Sequence, residues 1–192
     1  MSLYEFLLFV HIAATVVWVG AGINGLVLAA GYTRDDDVDA IRRLLKDQDD
    51  LAKKLFIPSS LVVVVFGIAL VIESDAWSFS YLWITLGLVG FATTFVTGLF
   101  FLKPESDRIH EQMERDGGMT PQSVIAIERL LTKARTDYVV LFLVIADMVI
   151  KPTGDDVGVL IGMALIALAG VAYIVVSLRR SDEREQPVPA RA

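Results

Sequence analysis

Five apolar stretches, each close to the length a helix needs to cross a bilayer, divide this chain, and the segments between them alternate in cationic charge. A hydrocarbon core about 30 Å thick takes roughly 20 apolar residues in a helix. The stretches cover 3–30, 55–72, 81–102, 135–151 and 157–178. The fourth is the shortest. Its apolar run extends only from Tyr138 to Ile150, and it reaches bilayer length if Arg135 and Lys151 carry their charges to the two surfaces on long side chains. A buried helix of a soluble domain can imitate one such stretch, but hardly five in 192 residues that are 55% hydrophobic. The expected fold class is all-α: a polytopic membrane helical bundle with five transmembrane helices, forming a single domain over 1–180.

The cations orient it, because connections rich in Lys and Arg stay on the cytoplasmic side. Of the 17 Lys and Arg residues, all but Lys151 fall in three segments. The first connection carries Arg34, Arg42, Arg43, Lys46, Lys53 and Lys54. The third carries Lys103, Arg108, Arg115, Arg129, Lys133 and Arg135. The tail carries Arg179, Arg180, Arg184 and Arg191. The segment before the first stretch and the second connection, 73–80, have none. Every connection agrees on an N-terminus outside and a C-terminus inside. The first stretch lacks a basic leader and exceeds the 7–15 residues or so of a signal-peptide apolar region, so it is expected to be retained.

The net charge of −6 gives no nucleic-acid signal, since acids and bases share the same connections. With no cysteine there is no disulfide, thiolate ligand or iron–sulfur cluster. Short outer loops and a tail without an organelle signal point to a bacterial cytoplasmic (inner) membrane, with the lipid bilayer as the first partner.

The cytosolic connections, 33–54 and 104–134, read as helical. Thr33 and Asp35 to Asp37 suit a helix start, and Val38, Ile41, Leu45, Ala52 and Leu55 recur at helical spacing. Pro58 allows a bend where that helix enters the second span. The acids from Asp35 to Asp50 are interleaved with bases and lack the glycine and spacing of a calcium loop, so they read as a solvated face. In the third connection Gly117 and Gly118 break one helix, and Thr120 and Pro121 are N-cap and N1 of the next. Residues 181–192, with Pro187 and Pro189, read as a disordered tail.

An ionisable residue inside a span is a functional-site hypothesis by default. His11, Asp147 and Lys151 qualify. At 1.5 Å per residue His11 lies roughly 12 Å and Asp147 roughly 6 Å from the outer surface. Asp147 and Lys151 stand at i and i+4, where they can form an ion pair. Thr15, Trp18, Gly22 and Gly25 follow His11 on or near one helix face. Their small members permit close approach of another helix or of a flat ligand. Three roles are open to His11: a hydrogen bond across helices, a ligand to a cofactor, or a proton relay. Gly87, Gly90, Thr94 and Gly98, and separately Gly158 and Gly162, form small-residue faces that suit helix contacts, a homo-oligomer or a membrane protein partner.

The run His11-Ile12-Ala13-Ala14-Thr15-Val16-Val17-Trp18-Val19-Gly20, together with Asp147-Met148-Val149-Ile150-Lys151-Pro152, resembles a bacterial family of predicted integral membrane proteins of unknown function. It is more distantly similar to HemJ-type protoporphyrinogen oxidases and to the CopD-type copper-resistance membrane domain. The HemJ-type resemblance implies haem as cofactor with His11 as axial ligand; for any cofactor site at His11, Trp18, Gly22 and Asp147 are the expected neighbours. That family also uses a Lys near the start of its third span, where this chain has Tyr81-Leu82-Trp83-Ile84-Thr85. The CopD-type resemblance implies copper, but only Met148 and Met163 of the five Met residues lie within spans. A bis-histidine haem is excluded by counting, since His110, the only other His, is cytosolic; Met148 remains a candidate second ligand. Three functions follow as expectations: a cofactor-binding membrane protein, a structural or accessory subunit of a membrane assembly, and a small transporter or channel component with an outer-half polar site.

Overall fold

The computed structural model describes residues 1–32, 43, 46, 47 and 50–185, and among these the regular structure is entirely helical. Six α-helices have both ends among the described residues: α1 Leu3–Tyr32, α2 Ile57–Glu73, α3 Leu82–Val96, α4 Lys103–Arg115, α5 Pro121–Ile150 and α6 Val157–Glu185. Most of the helix expected over 33–54 lies outside the described residues, and from Asp50 the chain is helical. Of the expected tail, 181–185 belongs to α6 and the remainder lies outside the described residues.

Two π-helical turns interrupt the rods. Ala52–Phe56 leads into α2 and Thr97–Leu102 joins α3 to α4, each closed by an N–H bonded five residues back, Ile57 to Ala52 and Lys103 to Gly98. Each is followed two residues later by a proline, Pro58 or Pro104. A proline ring inside a helix collides with the carbonyl four residues before it and removes one donor. A wider turn just ahead of the ring relieves that collision, so the bend expected at Pro58 takes the form of a π turn. The Ser59 hydroxyl donates to the carbonyl of Leu55 at 2.6 Å and that of Ser60 to Ile57 at 2.8 Å, which satisfies carbonyls near the break.

Local chemistry sets the other ends. The Ser2 backbone N–H donates to Glu5 Oε2 at 2.7 Å and the Glu5 N–H donates to Ser2 Oγ at 3.2 Å, a capping box at the start of α1. α4 ends in a Schellman turn: Gly117 has φ +71°, the Gly118 N–H donates to the carbonyl of Met113 at 3.0 Å, and the Gly117 N–H to Glu114 at 3.4 Å. Thr120 and Ser123 then cap α5 reciprocally, with Pro121 in its first turn. At the far end Lys151 takes the left-handed conformation, φ 53° and ψ 56°, and Pro152 follows fully buried.

α5 is the central helix. It packs along α3 and α6, touches α1, and pairs with α4 through its N-terminal half. α1 lies along α2. The pairs are antiparallel, since His11 meets Val63 and Gly67 while Trp18 meets Phe56, and Gly87 meets Asp147 while Gly90 meets Val144. Ala14, Trp18, Val63 and Leu141 form the buried centre of the bundle, with Phe56, Phe91 and Tyr138 packed on it. A second small core of Ile109, Met113 and Ile127 holds the α4–α5 hairpin together.

The outside of this bundle is apolar. Along α6, Val157, Ile161, Leu165 and Leu168 are each more than half exposed. Soluble monomers rarely expose contiguous apolar patches beyond a few hundred Å², whereas a bilayer requires such a surface. Among the described residues four helical stretches are long and apolar enough to cross: Leu3–Asn24, Ala52–Glu73, Leu82–Arg115 and Val157–Arg179. α5, the expected fourth span, is not among them. Lys133, Arg135 and Asp137 flank its apolar run and Asp147 interrupts it.

Candidate functional site

His11 lies against α2. Its Nδ1 is 2.8 Å from the carbonyl oxygen of Val63. A carbonyl only accepts, so Nδ1 carries a proton and donates, and in the neutral ring the lone pair is then on Nε2. Gly67 makes the approach possible: a Cβ there would stand 3.1 Å from His11 Cε1 and 3.3 Å from Nδ1. The Thr15 hydroxyl donates to the His11 carbonyl at 2.8 Å, within α1.

The helix face beyond His11 is filled by the protein's own side chains. Trp18 is 2% exposed, with ring centroids 5.9 Å from Phe56 and 5.5 Å from Phe91. Gly22 is buried against the hydroxyl end of the Tyr138 ring, where a Cβ would overlap it. The slot for a flat ligand expected along His11, Trp18 and Gly22 is therefore taken by aromatic rings from the π turn before α2, from α3 and from α5. Periodicity places residues on a common face; it does not say what the opposing helices insert there.

Asp147 lies elsewhere, on the α5 face that meets α3. It is 1% exposed, and neither carboxylate oxygen has a hydrogen-bond partner among the described residues. A Cβ on Gly87 would lie 3.4 Å from its Oδ2 and would overlap the Met148 methyl. Met148 thus fills the recess at Gly87 on α3, whereas His11 packs on α2. Among the described residues no three His, Cys, Asp or Glu side chains converge as a metal-holding group. His110 is on α4, with Nε2 3.4 Å from Glu114 Oε1.

The ion pair expected between Asp147 and Lys151 is not made. Lys151 has left the helical repeat in its left-handed conformation. Its Nζ lies 4.4 Å from the Trp77 ring centroid and 5.4 Å from that of Trp83, a cation–π arrangement. The two indoles meet edge to face at 5.3 Å. Helical spacing does not reveal this aromatic seat. Its one signal was Lys-Pro, since the residue before a proline is disfavoured in the α region. The outer vestibule of His11, Asp147 and Lys151 expected of a transporter is likewise replaced by three separate settings: an α2 carbonyl, the α3 packing face and an indole pair.

Fold and surface together define the class: an all-helical, multi-pass integral membrane protein. Within that class the chain belongs to the predicted integral membrane protein family DUF2269, whose model matches residues 5–152. The match takes in α1 to α5 and stops before α6, the crossing helix least enclosed by the bundle. No curated protein and no solved structure matches the chain. None of these comparisons shows the resemblance to HemJ-type or CopD-type proteins.

Proposed function

We propose that the chain is a five-span bundle of a bacterial inner membrane, N-terminus outside and C-terminus inside, serving as a structural or accessory subunit of a membrane assembly. The observation that carries this reading is the filled face of α1, where Phe56, Phe91 and Tyr138 occupy the space a flat cofactor would need. A fifth crossing by α5 is supported by its ends. It starts just after α4 finishes, and it ends at Lys151, which sits on Trp77 and Trp83 beside the start of α3. Beyond the hairpin, residues 135–150 of α5 rise about 24 Å at 1.5 Å per residue, which reaches across the slab when Arg135 and Lys151 carry their charges to the two surfaces. The orientation rests on the distribution of Lys and Arg. It directs the α4–α5 hairpin, which has its own core and a Lys133–Glu105 ion pair at 2.7 Å, into the cytosol as a rigid docking arm. The test is cross-linking and co-purification in mild detergent. A defined partner or oligomer captured by wild type, and lost when charges on the hairpin are reversed, supports the reading. A monodisperse monomer without partners overturns it.

One observation favours a second reading, a cofactor at His11. With Nδ1 tied to the Val63 carbonyl, the neutral ring keeps its Nε2 lone pair for a metal, as in many histidine sites where a backbone carbonyl holds the other nitrogen. Haem approaching from the lipid side or from another subunit would be held by His11 alone, because Trp18, Gly22 and Asp147 are engaged in packing; the iron would supply redox chemistry. A Soret band that shifts on reduction and disappears in His11→Ala separates this reading from the first.

A further inference from the structure

Asp147 is the one buried acid of the bundle core that neither a hydrogen bond nor an ion pair among the described residues satisfies. A carboxylate taken from water without a partner costs several kcal/mol. On α3, Gly87 provides a surface without a side chain beside it, and the Met148 methyl seals the rest. One turn closer to the Lys151 end, Trp83 is 9% exposed and its indole Nε1 also lacks a partner.

The surroundings define what this carboxyl can take. α3 and the π turn after it have no ionisable residue from Leu82 to Leu102, and α6 has none between Val157 and Leu178 apart from Tyr173. On α1 the groups are Tyr4, Glu5, His11 and, at its far end, Tyr32, with His11 Nδ1 held on α2. α4 meets α5 only at the other end, where Glu105 takes Lys133. On α5 itself Lys151 is turned onto the indoles, and Asp137 and Tyr138 lie more than two turns away. A metal ion needs several ligands, and no such group exists among the described residues. A proton needs none and occupies no space.

We propose that Asp147 is a proton-binding site within the membrane, closed between α5 and α3. One proton from water adds to a carboxylate oxygen and returns to water at the Lys151 rim, and its loss separates α3 from α5 at Gly87. This goes beyond the subunit role and stands whether or not a partner is found.

The test is dicyclohexylcarbodiimide labelling of the full chain in native membranes, with adducts mapped by mass spectrometry. The reagent dissolves in lipid and reacts with a protonated carboxyl. The acid proton passes to a carbodiimide nitrogen, the oxygen bonds the central carbon, and the O-acylisourea rearranges to a stable N-acylurea. The expected result is an adduct at Asp147, falling about tenfold per pH unit above its midpoint, absent in Asp147→Asn and retained in Asp137→Asn. No adduct at Asp147 while Asp137 reacts, or labelling of Asp147 that does not change with pH, overturns the proposal. If Asp147→Asn fails to fold, infrared spectra of the wild type decide. A protonated-carboxyl band that shifts in heavy water and fades with rising pH supports the site, and its absence across the range overturns it.

Discussion

The imidazole of His11 is joined to the carbonyl oxygen of Val63 across 2.8 Å, with Gly67 leaving room for the ring. Bonds between helices in membranes average only about 0.6 kcal/mol. His11→Ala also removes ring packing, so a loss of about 1–2 kcal/mol is expected from both effects. Thermal unfolding in detergent measures it. Gly67→Ala should weaken the same contact, and the two substitutions together should cost less than their sum.

Gly22 and Gly20 are two residues apart on α1 and should respond oppositely to alanine. A Cβ at Gly22 overlaps the Tyr138 ring, a stiff neighbour, and overpacking of this kind costs about 1–3 kcal/mol. A Cβ at Gly20 meets nothing within 4 Å and should stabilise α1 by up to about 1 kcal/mol through helix propensity. Pairing Gly22→Ala with Tyr138→Ala in a double-mutant cycle should recover much of the loss.

Lys133 Nζ donates to both oxygens of Glu105 at 2.8 and 2.7 Å, joining α5 to α4 below the second small core. Both side chains are about one-third exposed, so water screens the pair. Glu105→Gln should cost no more than about 1 kcal/mol, with the difference shrinking at high salt. Amide exchange in α4 at low and high ionic strength reads this directly.

The turn between α5 and α6 should loosen in acid. The Thr153 N–H and hydroxyl both donate to Asp156 Oδ2 at 2.8 Å, and the backbone bond first, then the hydroxyl, hold the carboxyl below its ordinary 3.8. A lowered folded value means the contribution is complete above the unfolded value and is lost as pH falls through the folded one. Exchange at the Thr153 amide, compared with Asp156→Asn, should show protection at neutral pH that disappears only below the ordinary carboxylate range.

Several elements were legible in the chain before folding. Gly117, Gly118, Thr120 and Pro121 mark a helix stop and start by local chemistry, and the Schellman turn and capping box lie there. Apolar run length likewise marks four crossing stretches. The proposed fifth crossing is marked less clearly, because Lys133, Arg135, Asp137 and Asp147 dilute α5, and only its place among the other helices argues for it. Trp18, Gly22 and Asp147 were identified as special but grouped around His11, because spacing on one helix cannot reveal which neighbour each residue meets.

Lengths of apolar sequence, the alternation of cations and the glycine and proline breaks determined the helical class and its membrane setting, since bilayer thickness and backbone hydrogen bonding act on each segment separately. Tertiary structure alone decided that His11 binds an α2 carbonyl, that Tyr138 fills the recess at Gly22, and that Lys151 leaves Asp147 for two indoles. Those outcomes depend on the register between helices distant in sequence, which close packing sets and local periodicity does not contain.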